Sequence, residues 1–408
     1  MNIPPSLCVK CRGNNLCGLT YCPILTNHVS IKPLDTKSIE GYTPPSIFVG
    51  RIGYPKISIG PMIPSIPVDE HKASIYDKPE EWSNVSIKDI LRFRLTLVRG
   101  KVTVYANSAY SSSDKMVTAM QELAMADNPV EARMHISRVS KMFSISEAIP
   151  PFGPSAELER LDLGNIRVDH RIEKAYNDDI SARDAIIELY NSNVSVTSIA
   201  RALSAGCLGV KKRRRFVPTR WSITAVDDTV SRFLISHIKN RPWVNEPLVY
   251  VREGYLNRFV CIIAPGPWEF EWIEAWYPDT VWNKDARVEI IGDHEGYDGL
   301  KHYAIVGGCY YSSRLAACEY LKSINRQGKV LMLREIYPGF NIPIGVWFVR
   351  EQLRAMFKGI PLRFGSVEDA VKYAMSNLKI PLREWIKRSY MLKQFVGKSV
   401  KSLWDYIA

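Results

Sequence analysis

The chain has 408 residues, of which 46% are hydrophobic and 24% are charged, and this composition and length are typical of a globular protein with two main domains. Its 54 Lys and Arg outnumber 42 Asp and Glu and give a formal net charge of +12, which indicates a polyanionic partner such as nucleic acid or an anionic membrane. No apolar run approaches the ~18 residues of a membrane-spanning helix, and the first residues lack a signal-peptide pattern. We therefore expect a cytoplasmic protein with no membrane partner and no disulfide framework.

The first predicted element is a metal site close to the N-terminus. Four cysteines follow the spacing C-x2-C-x5-C-x4-C, namely Cys8, Cys11, Cys17 and Cys22. Two short loops of this kind can surround one tetrahedral ion, and four thiolates suit zinc. The Cys22-Pro23 pair leaves an iron–sulfur cluster as the alternative. The spacing predicts a four-cysteine zinc finger, and we assign it residues 1–28.

The region from residue 29 to about 285 mixes strand and helix patterns, and we treat it as one large domain. A strand and turn are predicted around Ile47–Tyr54, where Arg51 and Tyr54 suit either a ligand site or a packed corner, of which we favour the corner. Alternation predicts a hairpin over Phe93–Tyr105 that turns at Arg99-Gly100. Helical periodicity predicts helices at Lys115–Asp127, Val130–Ile145, Asp169–Tyr190 and Val194–Ala205.

The most distinctive stretch is Lys211–Phe233. It begins with the five cations Lys211, Lys212, Arg213, Arg214 and Arg215, and no acidic residue occurs between Glu188 and Asp227. Arginine forks bind phosphate oxygens in pairs, and a nearby Trp can stack on a base. We therefore predict DNA contacts from the five cations together with Arg220 and Trp221. A solvated basic loop before a helix, with Trp221 in the core, is the alternative.

Two adjacent acidic residues near the end of this stretch are the candidates for catalysis. Asp227 and Asp228 could orient Arg220 or hold a metal ion. A second group of titratable residues lies at Asp293–Asp298 with His302, where a metal-assisted hydrolase could also be built. A solvated turn between two strands explains this second group more simply, and we favour that interpretation.

The C-terminal part alternates strand and helix patterns. Trp268–Trp276 alternates aromatic and acidic residues, as a strand with one buried face would. Strands are predicted at Phe259–Ala264, Val288–Ile291, Tyr303–Val306 and Val330–Glu335, and helices at Arg314–Ile324, Val346–Phe357, Ser366–Leu378 and Leu382–Phe395. We expect an α+β fold class overall, with a smaller α+β domain over residues 286–397 after a boundary near 285.

Several segments together are similar to the archaeal Nre family of DNA-repair proteins, of the NreA type. They are CVKC…LCGLTYCPI, FVGRIGYP…IGP, RRRFVPTRWSITAVDD, GGCYYSSRLAACEYL and GVWFVREQL, and they span nearly the whole chain. The resemblance implies an N-terminal zinc finger, a large N-terminal and a smaller C-terminal family domain, and a terminal peptide that binds the sliding clamp PCNA. It names a pathway, DNA-damage repair, rather than a reaction, and it favours a nucleoid-associated protein.

The last predicted element is the tail at 398–408. A clamp-binding (PIP-like) peptide places an aliphatic residue three positions before an aromatic–hydrophobic pair, so that one helical turn presents all three side chains. Leu403, Tyr406 and Ile407 fit this spacing, although Val400 stands where Gln is usual. Packing of the tail on its own domain is the alternative.

Two functions follow from these patterns. The first is a non-catalytic repair factor that binds DNA and docks on the clamp. The second is a metal-dependent nuclease or other hydrolase that acts on damaged or branched DNA through Asp227 and Asp228. The chain contains no P-loop, HExxH or GxGxxG motif, so an ATPase or dinucleotide enzyme is not expected. We favour the binding factor.

Overall fold

The computed structural model describes residues 5–12, 16–18, 37–110, 114–140, 146 and 148–397. The chain forms two compact units. The N-terminal unit consists of Leu25–Val230 and Ile344–Phe348, and the C-terminal unit of Ser231–Pro343, Val349–Ala408 and Met1–Ile24, so far as these ranges are described. The first helix, α1 (Pro5–Cys11), thus belongs to the C-terminal unit. The division between the units falls at Val230, whereas the sequence places a domain boundary near 285.

The N-terminal unit is built on a mixed six-stranded sheet with the strand order β1-β5-β6-β4-β3-β2. Its strands are β1 (Ser38–Thr43), β2 (Ile47–Val49), β3 (Lys56–Pro64), β4 (Leu97–Tyr105), β5 (Val130–Ser137) and β6 (Ser155–Leu163). Strands β4 and β6 are parallel, and the other neighbours are antiparallel. The helices of this unit are α2 (Glu70–Ile75), α3 (Ile87–Arg94), α4 (Lys115–Met125), α5 (His170–Asn177), α6 (Ala182–Asn191) and α7 (Val196–Ser204). Helix α8 (Thr219–Ile238) contains the division between the units.

The predicted hairpin at Arg99-Gly100 is wrong, because β4 runs straight through these residues. Gly100 pairs with Ala156 of β6 and lies against Gly60 of β3. A Cβ atom at Gly60 would lie 1.5 Å from the carbonyl oxygen of Gly100. The glycine therefore allows two strands to approach closely, which is the other common reason for glycine inside a strand.

The predicted helix at Val130–Ile145 is also wrong over its first part, where the chain forms strand β5. Val130, Ala132, Met134 and Ile136 are buried in alternation with more exposed residues, as the two-residue repeat of a strand requires. Residues 141–145 lie outside the described part of the chain. The helices predicted at Lys115 and Val194 are confirmed as α4 and α7. The helix predicted over Asp169–Tyr190 is divided into α5 and α6, since Asp169 and Ser181 each cap a new helix.

The C-terminal unit contains a second mixed sheet, with the strand order β10-β9-β11-β8-β7-β12. Its strands are β7 (Leu248–Gly254), β8 (Asn257–Ala264), β9 (Glu269–Trp276), β10 (Glu289–Glu295), β11 (Lys329–Ile336) and β12 (Leu362–Arg363). Its helices are α9 (Gly308–Ser323), α10 (Trp347–Phe357), α11 (Val367–Ser376), α12 (Leu382–Arg388) and α13 (Tyr390–Val396), of which α10 begins in Ile344–Phe348 of the other unit. Trp385, Leu392 and Phe395 from the last two helices pack on the sheet. Both units combine helices with sheets, so the α+β class is confirmed.

Strand β9 is not one-sided, because all eight of its residues are buried. Its acidic residues have polar partners under the covering layer. Glu271 accepts hydrogen bonds from Ser389 Oγ (2.7 Å), Tyr390 N (2.6 Å) and Met391 N (2.8 Å) at the start of α13. The first N–H groups of a helix lack partners within the helix, and a carboxylate satisfies them favourably. This side chain therefore fixes α13 to the sheet.

Two further expectations for this unit need correction. Tyr303–Val306 is not a strand and forms an irregular segment before α9. The segment Asp293–Asp298 is not simply a solvated turn, since Asp293 and Glu295 belong to β10 and are buried.

Candidate nucleic-acid interface

The five predicted cations lie in a 3₁₀ turn, Lys211–Arg213, and in the extended chain that leads to α8. Lys211, Lys212, Arg213 and Arg215 are exposed. None of these four forms an ion pair with another described residue. The carboxylate of Asp179 borders the turn, where its Oδ1 accepts the backbone N–H of Lys211 (2.7 Å). The four cations outnumber it and make a surface that attracts phosphate.

Arg214 differs from its neighbours because its guanidinium is buried. Its Nε donates to the carbonyl of Gly209 (2.8 Å) and its Nη2 to that of Tyr176 (2.7 Å), and it lies over the Tyr176 ring. Burial lowers the pKa of Arg214. Arg214 therefore holds the segment in place, and the prediction that it binds phosphate does not fit this geometry.

Backbone hydrogen bonds fix the segment to the end of β4 and to α7. Phe216 is fully buried, and its N–H donates to the carbonyl of Ala106 (2.7 Å). The N–H of Val217 donates to the carbonyl of Ser204 (3.0 Å) in α7. Ala106 in turn donates its N–H to the carbonyl of Pro55 (2.8 Å). The basic segment, the end of β4 and the loop between β2 and β3 are therefore adjacent in the fold.

This surface also carries aromatic side chains. Tyr54 is 40% exposed, Trp221 46%, Tyr105 59% and Tyr110 53%. We call these four residues and the cations Lys211, Lys212, Arg213 and Arg215 the basic–aromatic face. Exposed aromatic residues among cations are typical of surfaces that bind single-stranded nucleic acid.

Tyr54 and Trp221 form a pair at one side of this face. Their ring centroids are 5.4 Å apart, and the rings are inclined by 53°. The N–H of Val49 donates to Thr219 Oγ (2.9 Å) at the start of α8, which fixes the loop to the helix that carries Trp221. The expectation of a packed corner at Arg51 and Tyr54 is wrong, because residues 51–56 are exposed. Core packing of Trp221 is also wrong, because its own side chain is 46% exposed.

A buried cation, which the sequence did not point to, lies below this loop. Arg99 Nη2 donates to the carbonyl oxygen (2.6 Å) and to Oγ (2.9 Å) of Ser58, and the guanidinium lies over the Phe48 ring at 4.2 Å. Among the described residues no carboxylate pairs with Arg99. Burial lowers the pKa of Arg99 to about 9, so it remains protonated at neutral pH. It adds a fixed positive charge below Gly50. A Cβ atom added at Gly50 would lie 3.6 Å from Arg99 Nη2.

The candidate catalytic residues lie in the middle of α8. Asp227 is buried and Asp228 is half-buried. Consecutive helical residues project about 100° apart, so these two carboxylates do not face one point. Arg220, in the first turn of α8, is half-buried. Within the described ranges, no three His, Cys, Asp or Glu side chains are grouped so as to hold a metal ion.

Three of the four predicted metal ligands are described, and Cys22 lies outside the described residues. Cys11 Sγ accepts a hydrogen bond from the N–H of Leu16 at 3.2 Å. Among the described residues, Cys8, Cys11 and Cys17 are not grouped so as to hold a metal ion, and the four-cysteine site stays a prediction.

Arg12, directly after Cys11, anchors this segment to the C-terminal unit. It is 2% exposed and donates from Nη2 to Glu274 Oε2 (2.6 Å) and from Nη1 to the carbonyl of Val306 (3.0 Å). Arg334 Nη1 donates to the other oxygen of Glu274 (2.9 Å). The cysteine segment is therefore not a free-standing finger in the described part of the chain.

The titratable residues at the end of β10 are paired with neighbours in the same unit. Glu295 Oε2 accepts from Arg314 Nη1 (2.7 Å), and His294 Nε2 lies 2.8 Å from Glu269 Oε1. Asp293 Oδ2 accepts from the N–H of Val306 (3.1 Å). These contacts assign the group a structural role.

The N-terminal unit also contains a polar cavity of about 300 Å³. Asp77 in its wall receives a hydrogen bond from Arg94 Nη1 at 3.0 Å, and Asp169 pairs with Arg171. Burial raises the pKa of Asp77 although Arg94 and Arg201 oppose the change. Because these lining charges are engaged with one another, we assign the cavity no ligand.

The tail residues Leu403, Tyr406 and Ile407 lie outside the described residues. No described helix is both long and apolar enough to cross a membrane.

Comparison with known proteins gives two family matches. Residues 16–283 match the family described as Archaeal Nre, N-terminal, and residues 295–406 match Archaeal Nre, C-terminal. DNA repair protein NreB of Archaeoglobus fulgidus is 40% identical over 406 residues, which cover 98% of this chain and 100% of that protein. DNA repair protein NreA of the same organism is 34% identical over 96% of this chain and 98% of its own length. For NreA of Haloferax volcanii the identity is 35% over 87% of this chain and 86% of its own length.

No solved structure matches the chain. The two family matches together cover most of the sequence, and the similar proteins align over nearly their full lengths. The chain belongs to the archaeal Nre family.

Proposed function

We propose that this protein is a DNA-damage repair factor that binds DNA through the basic–aromatic face and is recruited to the sliding clamp PCNA by its C-terminal peptide. The names of the similar proteins support the repair role. The observation that carries the DNA-binding part is the set of four exposed cations, without ion pairs to other described residues, beside exposed aromatic rings. The clamp part rests on the family resemblance and on the spacing of Leu403, Tyr406 and Ile407.

The physical reason is electrostatic. Each phosphate that a Lys or Arg neutralises releases condensed counterions. For every tenfold rise in salt concentration, log K on duplex DNA therefore falls by about 0.9 per phosphate contact. Lys211, Lys212, Arg213 and Arg215 lie in five consecutive positions and are held by the buried Arg214 and Phe216. A rigid backbone loses little entropy when its side chains meet the DNA backbone.

The test replaces the four exposed cations by Gln and measures DNA affinity over a range of salt concentrations. We expect weaker binding for all DNA sequences and a shallower slope of log K against log salt. A matched control removes four exposed cations from the C-terminal unit, namely Lys284, Arg287, Lys301 and Lys358. If both variants change the slope equally, the face has no special role.

We also propose that Cys8, Cys11, Cys17 and Cys22 bind one zinc ion. The N–H bond to Cys11 Sγ and the burial of Arg12 support an ordered cysteine segment, and the spacing of the four cysteines supports the metal. Elemental analysis of protein purified without chelator should find about one zinc per chain. Iron with a brown chromophore would instead indicate an iron–sulfur cluster.

A metal-dependent hydrolase acting on damaged or branched DNA is the alternative. The divergence of Asp227 and Asp228 on α8 does not favour it, since metal sites need converging ligands. Incubation of labelled, lesion-bearing DNA with Mg²⁺ or Mn²⁺ tests this directly. Cleavage that disappears in Asp227→Ala would replace the binding factor with an enzyme.

A further inference from the structure

The basic–aromatic face displays more ring surface than binding to a phosphate backbone requires. Cations alone are sufficient to hold duplex DNA, because most contacts to a duplex are made to phosphates. Here Tyr54, Trp221, Tyr105 and Tyr110 are all at least two-fifths exposed. Exposed rings close to cations offer flat apolar surfaces on which a base can stack.

The Tyr54–Trp221 pair is held in place by the backbone. Val49 is bonded to Thr219, two residues before Trp221, and Gly50 donates its N–H to the carbonyl of Ser58 (2.8 Å). These bonds fix both ends of the exposed loop that carries Tyr54. Rings that are already in place lose little freedom when a base stacks on them.

In a duplex the faces of the bases are covered by their neighbours. Only bases in single strands, gaps or unpaired segments offer a free face to a protein ring. The cations of the same surface, with the buried charge of Arg99 under the loop, supply the attraction for the strand that carries those bases. A ligand that matches both the exposed rings and the cations has unstacked bases and phosphates on the same strand.

We propose that the basic–aromatic face selects unpaired DNA, with Trp221 and Tyr54 as the stacking surface for exposed bases. This inference deepens the proposed function and rests on it. A protein partner is the other class that exposed rings can attract. The four neighbouring exposed cations favour a polyanion, and binding of a protein is an outcome of the test.

The experiment measures binding of the full chain to a labelled single strand of about 30 nucleotides, long enough for one or more binding sites, and to its duplex at one fixed salt concentration. Trp221→Ala and Tyr54→Ala should each weaken single-strand binding about tenfold, which is the scale of one lost base–aromatic stack. Duplex binding should change much less, because the base faces are covered there. Trp221→Phe should keep most of the single-strand affinity, because Phe keeps a stacking ring.

Trp243→Ala is the matched control, since Trp243 is 53% exposed and lies in the C-terminal unit. It should leave both affinities unchanged. A second measurement on the unmodified protein irradiates strands that contain 5-iodouracil and maps the cross-links. Cross-links at Trp221 or Tyr54 support the inference without any substitution.

Different results would contradict DNA binding and the selection of unpaired DNA. If the wild-type protein binds neither DNA form, the proposed DNA-binding function fails. If it binds both forms but Trp221→Ala weakens them equally or not at all, and no cross-link maps to the pair, only the selection of unpaired DNA fails. Loss of binding to another protein in Trp221→Ala, with both DNA affinities intact, would assign the rings to a protein partner.

Discussion

At the scale of single residues, Glu274 is a buried carboxylate that pairs with two buried arginines. It is fully buried between Arg12 and Arg334, which bind one carboxylate oxygen each at 2.6 and 2.9 Å. Burial alone would raise the pKa of Glu274, but the two guanidinium groups lower it below its ordinary value of 4.5. Loss of this carboxylate would remove the negative charge that the buried Arg12 and Arg334 share.

We therefore expect Glu274→Gln to destabilise the C-terminal unit by about 3–5 kcal/mol, as removal of one partner from a buried ion pair does. Urea unfolding followed by Trp fluorescence measures this. Because the folded pKa is lowered, the contribution is present above pH 4.5 and is lost as the pH falls through the folded pKa. Glu274→Gln should remove that part of the acid sensitivity.

Glu253→Gln is the control, since Glu253 pairs with Arg258 but its side chain is 62% exposed. Exposed pairs contribute about 0–1 kcal/mol. Equal losses in the two variants would contradict the role that we give Glu274.

At the scale of elements, local periodicity predicted several helices correctly, but it could not show which residues cover a strand. Helices α4 and α7 follow from local periodicity alone. The burial of β9 does not, because Ser389, which bonds to Glu271, lies 118 positions away in the chain. Glu335 in β11 likewise accepts the N–H of Ile380 (2.8 Å), 45 positions further along. Acidic residues in a strand looked solvent-facing because their partners were invisible in the local pattern.

Glu271 provides a test of this interpretation. Glu271→Ala removes the acceptor of two N–H groups and one hydroxyl at the start of α13, and each buried donor left unsatisfied costs about 1–3 kcal/mol. We expect α13 to open locally while the strands stay folded. Hydrogen exchange should show lost protection over residues 389–396 and retained protection in β8 and β11.

Glu384→Ala in α12 is the matched control, because Glu384 pairs with Lys387 at the surface. It should leave the protection of α13 unchanged. Uniform loss of protection in Glu271→Ala would mean that the unit unfolds as a whole, and the local anchor would be the wrong description.

The same limit applied to the candidate interface. The cation run and Trp221 were visible because they are close together in the sequence. The sequence indicated Tyr54 as a candidate residue. It could not indicate the ring pair with Trp221, because the two residues lie far apart in the chain. In the sequence Arg214 was indistinguishable from its neighbours. Only the folded chain shows that its guanidinium donates hydrogen bonds to the carbonyl oxygens of Gly209 and Tyr176.

At the scale of the whole molecule, the predicted metal site and the C-terminal sheet belong to one compact unit. Arg12 connects the cysteine segment to Glu274 of β9. A metal that binds only the folded segment stabilises whatever is coupled to that segment. Zinc binding should therefore stabilise β9 and its neighbours as well as the cysteines.

The prediction is that Cys8→Ser lowers the zinc content and the hydrogen-exchange protection of β9 together. Arg12→Ala should keep more of the zinc but lose protection in β9, because it breaks the connection and leaves the ligands in place. Elemental analysis and hydrogen exchange measure the two effects separately. Full protection of β9 in zinc-free protein would show that the segment and the sheet are independent.

The proposed clamp binding by the tail can be tested on the full chain. Leu403, Tyr406 and Ile407 would present one apolar face from a single helical turn to a hydrophobic groove. Leu403→Ala or Tyr406→Ala removes an anchor worth about 2 kcal/mol, which corresponds to roughly thirtyfold in affinity. Calorimetry against the cognate sliding clamp measures this change. Asp405→Ala is the control, because Asp405 lies between the anchors in the sequence and outside the pattern.

Deletion of Leu403–Ala408 should abolish clamp binding and leave DNA binding unchanged, since the basic–aromatic face lies wholly within the N-terminal unit. A protein that binds the clamp and DNA through different segments should lose one activity without the other. Clamp binding that survives the deletion, or an intact chain that does not bind the clamp, would remove the clamp from the proposed function. A parallel loss of DNA affinity would instead indicate that the tail packs on its own chain and supports the fold.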